Sequence, residues 1–451
     1  MVKLKGFACL LLLFCLFVVN LSSQEKGSKA ADSQVEIYTE AQRKLKITSD
    51  DVKLVAEEDP AVGGYHLYIR KLPNVQSVLL TETTKDPNGK NDNYTYRAKE
   101  YNRINGDEVR LLDGQPLFTD SAKYSLVDST IEYTDFFGPT FHIYLPETMI
   151  YGYPWSRNGE VKVEKGTFIN IRSFEKPFAD YTGNFMDNPF MFDSVMKKME
   201  PKPAVFHIPE EPDPEEPEPE EEPAVPEVPE EPEIEEVPVI EPVVVASYEN
   251  IMTDDYNPIA SDKLKEISNE VTYSRGPETL VDDIIGILER GNHKENLDVV
   301  FAIDATGSMK NDVEKLKKDL LPALEKYFGK DSNARVGLLF YRDYGDAFNY
   351  KNLPVKFFNF TTDFKAFSKN LNSVRITGLE GGDIPEAVYE AIYSSTMFYD
   401  WRPDSDKQII IIGDAEPHPT PRGTKKYSKD YVMALADFMG VTINSILLPK
   451  N

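Results

Sequence analysis

Hydrophobic and polar positions change period several times along the chain, and the changes mark its organisation. Between residues 35 and 195, short runs rich in β-branched and aromatic residues recur. Examples are Tyr65-His66-Leu67-Tyr68-Ile69-Arg70, Val78-Leu79-Leu80-Thr81, Phe141-His142-Ile143-Tyr144-Leu145 and Phe168-Ile169-Asn170-Ile171. Pro87-Asn88-Gly89, Asn105-Gly106, Asp113-Gly114 and Asn158-Gly159 read as the turns between them. Short strands with frequent hairpin signals predict a β-rich, sandwich-like domain over 35–195. His66 and His142 fall within strand patterns and read as structural histidines. The aromatic run Tyr151-Gly152-Tyr153-Pro154-Trp155 reads as a loop packed at the edge of that domain.

From residue 277 the period changes to helical. Leu280, Val281, Ile284, Ile287 and Leu288 form one apolar stripe, Pro277 and Glu278 suit a first turn, and Gly291 suits a stop. Strands and helices then alternate. Leu297–Ile303 reads as a strand with the apolar run Val299–Ile303, and Val313, Leu316, Leu320, Leu324 and Tyr327 mark a helix over 311–328. Strands follow at 334–341 and near 355–360, then helices around 364–374 and 386–399. Gln408-Ile409-Ile410-Ile411-Ile412 is a buried strand, 428–438 a helix and 442–448 a last strand. Such alternation predicts an α/β domain over 277–451, built on a doubly wound, mostly parallel sheet.

Composition adds what the pattern does not. Between Pro209 and Pro242 there is no Lys or Arg, about half the residues are acidic, and proline recurs every few positions. Residues 203–245 thus read as a disordered acidic proline-rich linker, because such a stretch buries no core and repels itself. At polyproline rise it would extend on the order of 100 Å and act as a spacer between the two domains. Residues 246–276 read as a mixed polar connector. The 451-residue chain carries a formal net charge of −26. That argues against nucleic acid and anionic membrane surfaces as partners, since phosphate binding requires clustered cations, although much of the charge sits in the acidic linker.

Lys3 and Lys5, the apolar run Phe7–Val19 and Leu21-Ser22-Ser23 read as a secretory signal peptide over 1–23. An uncleaved anchor is the alternative, although the run is short for a span. Cleavage would leave an exported protein, placed in the periplasm, cell envelope or extracellular space, with no stable transmembrane span. Both cysteines, Cys9 and Cys15, lie within the signal. The mature chain therefore has no thiol catalysis, disulfide or zinc-thiolate site.

The chemistry collects at the ends of the buried strands. Asp304-Ala305-Thr306-Gly307-Ser308 follows the first strand of the α/β region. Gly381-Gly382-Asp383-Ile384-Pro385-Glu386 precedes a helix, and Gly413-Asp414-Ala415-Glu416 follows the isoleucine strand. Ligands of open α/β sheets bind beyond the carboxyl ends of the strands. Carboxylates and hydroxyls are hard ligands matching Mg²⁺, with Mn²⁺ or Ca²⁺ as substitutes. Each residue has a plainer reading: Thr306 or Ser308 as a helix cap, Asp383 with Glu386 as a capping box, Asp414 as a strand end. Asp343 and Asp346, after the second strand, add acidity near the same rim.

The Asp304-x-Thr306-x-Ser308 motif, the Gly-Gly-Asp-x-Pro-Glu segment and Asp414, in that order, resemble the metal-ion-dependent adhesion site of von Willebrand factor type A (VWA) domains over roughly 290–451. The resemblance implies a Rossmann-like fold and a bound Mg²⁺. Thr306 and Ser308 would then ligate directly, and Asp304 and Asp414 largely through water. Asp383, where many family members have threonine, would ligate directly or through water. It also implies a protein partner that offers a carboxylate to the metal. Family members usually continue with a further strand and helix after the point where this chain stops. The helix over 277–290 is therefore expected to cover the sheet face so left open.

The leading functional expectation is an exported, non-enzymatic adhesion-type protein that recognises its partner through a divalent cation. The alternative is an envelope scaffold in which the metal only stabilises. A hydrolase ranks below both: Ser308 has no histidine near it in sequence, and His418, read as a solvated loop residue, is the sole candidate base near the rim.

Overall fold

The computed structural model describes residues 38–83, 93–105, 111–112, 115–116, 124–197, 247–291, 296–329, 332–419 and 427–450. The proposed signal peptide, the segment 203–245 and the turns at Pro87-Asn88-Gly89 and Asp113-Gly114 lie outside these residues. No helix among the described residues is long and apolar enough to cross a membrane.

The first unit is built from strands β1 (Val52–Ala56), β2 (Tyr65–Arg70), β3 (Ser77–Thr81), β4 (Leu111–Leu112), β5 (Gln115–Pro116), β6 (Val127–Asp128) and β7 (Glu132–Thr134). It continues with β8 (Gly138–Leu145), β9 (Thr148–Gly152), β10 (Asn158–Lys162), β11 (Phe168–Phe174), β12 (Phe185–Lys197) and β13 (Ser247–Thr253). One antiparallel sheet has the order β1-β2-β8-β7 and the other β13-β12-β11-β3-β6. Alternation decides how they meet. Leu67 and Ile69 of β2 and Phe141, Ile143 and Leu145 of β8 turn inward onto Val78, Leu80, Ile169, Ile171, Phe190 and Phe192 of the facing sheet. That is a sandwich, as the two-residue period requires.

His66 and His142 project on the outer face. Their rings are joined at 2.8 Å, and Glu57 and Glu132 lie 2.9 and 3.1 Å from their remaining nitrogens. Both histidines are thus fully partnered. Trp155 stacks on Tyr153 but is 79% exposed, so this loop is less packed than expected. Asn158-Gly159 opens β10 rather than forming a turn; residues 153–157 make the connection. The close approach there is at Gly152, where φ is +68° and a Cβ would collide with the Arg157 carbonyl.

The spacer expectation needs correction. β12 pairs antiparallel with β13, and Lys197 is the register partner of Ser247. The two ends of the acidic segment therefore lie side by side on one sheet. A stretch that held two domains apart would instead have its ends far apart. The 246–276 stretch is not a connector either. It supplies β13, helix α1 (Pro258–Lys265) capped by Asn257, and β14 (Glu270–Tyr273). Their pairings are with residues distant in sequence, so local periodicity carried no trace of them.

The second unit continues with α2 (Leu280–Arg290), β15 (Leu297–Asp304), α3 (Lys310–Phe328), β16 (Arg335–Tyr341), β17 (Val355–Thr361), α4 (Phe364–Asn372), α5 (Val388–Met397), β18 (Asp406–Gly413), α6 (Lys429–Met439) and β19 (Thr442–Leu447). The strand order is β14-β19-β18-β15-β16-β17. All neighbours are parallel except β16 and β17. Every residue of β15 is buried, which explains the apolar run Val299–Ile303. Val299, Phe301 and Ile303 face the layer of α2, α3 and α4, whereas Val300 and Ala302 face the layer of α1, α5 and α6.

Helix α2 covers the sheet as expected, starting at Leu280 rather than Pro277. Leu280, Ile284, Ile287 and Leu288 share a core with Ile410, Ile412, Ile446 and Leu448. The sheet edge beyond β19 is taken by β14. The two units also share buried surface: Phe168 and Met191 of the sandwich join the cluster of Tyr256 and Tyr273. Asp193, 2% exposed, accepts a 2.7 Å bond from Arg275.

Candidate metal centre

Strands β15, β16 and β18 run parallel, so the loops that follow them open on one edge of the sheet. Asp304, the last residue of β15, is fully buried. Its Oδ1 accepts from the Thr306 amide at 2.8 Å and from the Thr306 hydroxyl at 2.7 Å. Its Oδ2 is buried with no hydrogen-bond partner. The Ser308 hydroxyl donates to Asp414 Oδ1 at 3.1 Å and stands 3.5 Å from the Thr306 hydroxyl. Helix α3 has Met309 at its N-cap and no side-chain cap bond. The hydroxyls thus face carboxylates, and the capping alternative is not what the loop adopts.

Burial and the nearby Asp414 charge push Asp304 up to about 7, and burial raises Asp414 as well. Two carboxylates and two hydroxyls therefore face one another in a dry position, with one oxygen unsatisfied. That is a hard-oxygen donor set with a net negative charge, and it fits a small divalent cation.

The loop between α4 and α5 closes onto this one. The Gly307 amide donates to the Glu380 carbonyl at 2.9 Å. A Cβ on Gly307 would lie 2.8 Å from the Gly378 backbone, so only glycine allows the contact. The Glu380 carboxylate accepts from the amides of Thr377, Gly378 and Leu379. Those bonds outweigh its burial and lower it to about 2. Arg342, after β16, donates from Nε to the Ala305 carbonyl at 2.7 Å and from Nη2 to the Arg375 carbonyl at 2.9 Å. It thereby ties two of the loops together.

Asp383 lies on this docked loop, and one ligand atom from each of Asp343, Asp383 and His418 falls within 4.8 Å of the others. Because α5 begins at Val388 with Ala387 at its cap, Asp383 and Glu386 form no capping box. His418 is 4% exposed and its Nε2 is 2.7 Å from Asp343 Oδ1, which corrects its reading as a solvated loop residue. That nitrogen is committed to Asp343 while Ser308 donates to Asp414.

Glu386 is the member that the pattern of residues concealed. It is 4% exposed, and its Oε2 has no partner. Burial, then the charges of Asp304, Asp343, Asp414 and Asp383, push it up to about 11. The one signal for it was its place in Gly-Gly-Asp-x-Pro-Glu, where it read as a cap. Two exposed apolar side chains flank the rim on the same loop: Leu379, 90% exposed, and Ile384, 57% exposed.

Fold and rim together describe an α/β domain that gathers oxygen ligands at the carboxyl ends of parallel strands. No family model matches the chain. It is similar to the alpha-protein kinase vwkA of Dictyostelium discoideum, 28% identical over 155 residues. The match takes in 34% of this chain and 23% of that protein, so the chain spans under a quarter of its relative's length. Among solved structures, it is similar to the conserved hypothetical protein BatB from Bacteroides thetaiotaomicron, with 24% identity and a TM-score of 0.24 over 34% of this chain and 66% of that one. An aerotolerance-related membrane protein from Bacteroides fragilis gives 23% and 0.24 over 34% and 67%. The pilus adhesin SpaC from Lactobacillus rhamnosus GG gives 13% and 0.27 over 35% and 25%.

Proposed function

We propose that this is an exported, non-enzymatic recognition protein of the VWA type, which captures a protein partner through a divalent cation. Asp304, Thr306, Ser308 and Asp414 would hold Mg²⁺, and Asp383 stands with Asp343 and His418. Mn²⁺ and Ca²⁺ suit the same oxygens. One observation carries the reading: Thr306 and Ser308 turn away from the helix they precede and onto Asp304 and Asp414, where a buried carboxylate oxygen has no partner. The cation would supply a Lewis-acidic position for a carboxylate of the partner. Leu379 and Ile384 would add apolar contact beside it, as desolvated anchors do at interfaces.

The test is capture of envelope protein by the full chain in Mg²⁺, in chelator, and with Asp304→Ala. Capture should vanish in chelator, return with Mg²⁺, and be absent from the variant under every condition. Capture that ignores both chelator and substitution rejects the reading. Stabilisation by Mg²⁺ without any Mg²⁺-dependent capture would favour the scaffold alternative.

A further inference from the structure

Asp343, Asp383 and His418 form a group distinct in chemistry from the four oxygen ligands beside it. It combines two carboxylates with an imidazole, whereas Asp304, Thr306, Ser308 and Asp414 offer oxygen only. The three come from separate segments: Asp343 follows β16, Asp383 precedes α5, and His418 follows β18. The backbone fixes their approach. The Glu386 amide donates to the Glu416 carbonyl at 2.8 Å, and the His418 amide donates to the Glu386 carbonyl at 3.1 Å. Asp343 and His418 are each 4% exposed.

Glu386 is an independent pointer. Its carboxylate is buried, has an oxygen without a partner, and feels the charges of Asp304, Asp343, Asp414 and Asp383. A Cβ on Gly381 would lie 3.3 Å from Glu386 Oε1 and 3.5 Å from Thr306 Cβ, which places that carboxylate against the first loop as well. Four buried carboxyl groups and the half-buried Asp383 thus collect around this rim, with His418 the one imidazole there among the described residues. The nearest guanidinium, Arg342, is spent on the Ala305 and Arg375 carbonyls, with Asp346 and Glu380 at 3.5 and 3.6 Å. A buried carboxylate with an unpartnered oxygen is satisfied by a proton in the metal-free protein or by a coordinated cation.

From this geometry we infer that Asp343, Asp383 and His418 form a second cation site, with the unpartnered Glu386 carboxylate held nearby by the backbone pairing of 386 with 416–418. A nitrogen donor among carboxylates selects a borderline transition metal such as Zn²⁺ over Mg²⁺. The 2.7 Å contact between His418 and Asp343 is a hydrogen bond whose proton the metal replaces on binding. The assignment goes beyond the Mg²⁺ reading and does not depend on it.

The experiment is equilibrium dialysis of the full chain against Zn²⁺ in millimolar Mg²⁺, with bound metal measured directly. Co²⁺ absorption serves as the signature of imidazole ligation. The wild type should hold one Zn²⁺ and show the Co²⁺ band. His418→Gln and Asp343→Asn should bind Zn²⁺ roughly 10- to 100-fold more weakly and lose the band. Asp304→Asn should keep both while losing its response to Mg²⁺. Circular dichroism melts establish that each variant is folded, and Asp383→Asn replaces one that is not. Three results overturn the site: no Zn²⁺ on the wild type, equal Zn²⁺ on the His418 and Asp343 variants, or loss of Zn²⁺ in Asp304→Asn. The first reduces the group to a hydrogen-bonded network, and the last assigns the metal to the neighbouring oxygens. Failure of the Mg²⁺ reading shows differently, as a wild type that binds Zn²⁺ but never responds to Mg²⁺.

Discussion

Replacing Asp304 by Asn should stabilise the protein in chelator and abolish its stabilisation by Mg²⁺. The sign follows from the carboxylate's surroundings. Asp304 is fully buried, its Oδ2 has no partner, and Asp414 faces it. Its folded value, about 7, stands above the ordinary 3.8. Between those two pH values the folded protein holds a proton that the unfolded chain has released, so this group's contribution to stability falls as pH rises. By pH 7 the penalty is on the order of 4 kcal/mol. Asn keeps an oxygen for the Thr306 amide and hydroxyl and removes the charge. Metal-free, the variant should melt roughly 10 °C higher than the wild type at pH 7. The gap should close near pH 4, where the unfolded chain is protonated too. Mg²⁺ at a hundredfold excess over its Kd should raise wild-type stability by about 2.7 kcal/mol and leave the variant unmoved. Scanning calorimetry at the two pH values, with chelator and with Mg²⁺, reads all of this. A variant that melts below the wild type in chelator at pH 7, or a gap indifferent to pH, refutes the reasoning.

Three further outcomes follow from the fold. At the opposite end of β15, Asp298 is fully buried and bonded by Arg335, Arg402 and Ser405, which outweigh burial and hold it down to about 2. Asp298→Ala should cost about 3–5 kcal/mol in urea unfolding by orphaning two guanidinium groups. In the wild type, this group's stabilisation is present above pH 3.8 and is lost as pH falls through about 2; a variant with unchanged acid sensitivity would contradict that. Ile284→Ala should lower stability by about 2–5 kcal/mol, because α2 seals one face of the sheet; an unmoved unfolding midpoint would deny that role. Excising 198–246 and joining Lys197 to Ser247 through Asn-Gly should leave the melting temperature unchanged, since those residues are already partners across β12 and β13. A chain that fails to fold would mean that the segment does more than connect them.

Much of the second unit was legible because its signals are local. Burial on both faces makes Val299–Ile303 of β15 and Ile409–Ile412 of β18 read as unbroken apolar runs, and α3, α4 and α6 follow their apolar spacing to within a few residues of their observed ends. The three acidic loops were legible for the same reason, each lying where a strand ends or a helix begins. Asp343 was visible as acidity, whereas Glu386 looked like a cap and His418 like a solvated loop residue. Their burial depends on the pairing of backbone at 386 with backbone at 416–418, which no local pattern encodes.

By itself the sequence determined the layers: a two-residue period for the sandwich, alternating strands and helices for the second unit, and carboxylates and hydroxyls after its buried strands. Tertiary structure decided which of those pieces meet. It returned the chain from the acidic segment to the sheet it had left, and it set β14 beside β19. It also turned Thr306 and Ser308 onto carboxylates and buried Glu386 where its backbone pairs with 416–418. The physical reason is range. Periodicity and capping act over a few residues, whereas strand pairing and the mutual burial of charge depend on segments brought together only by the completed fold.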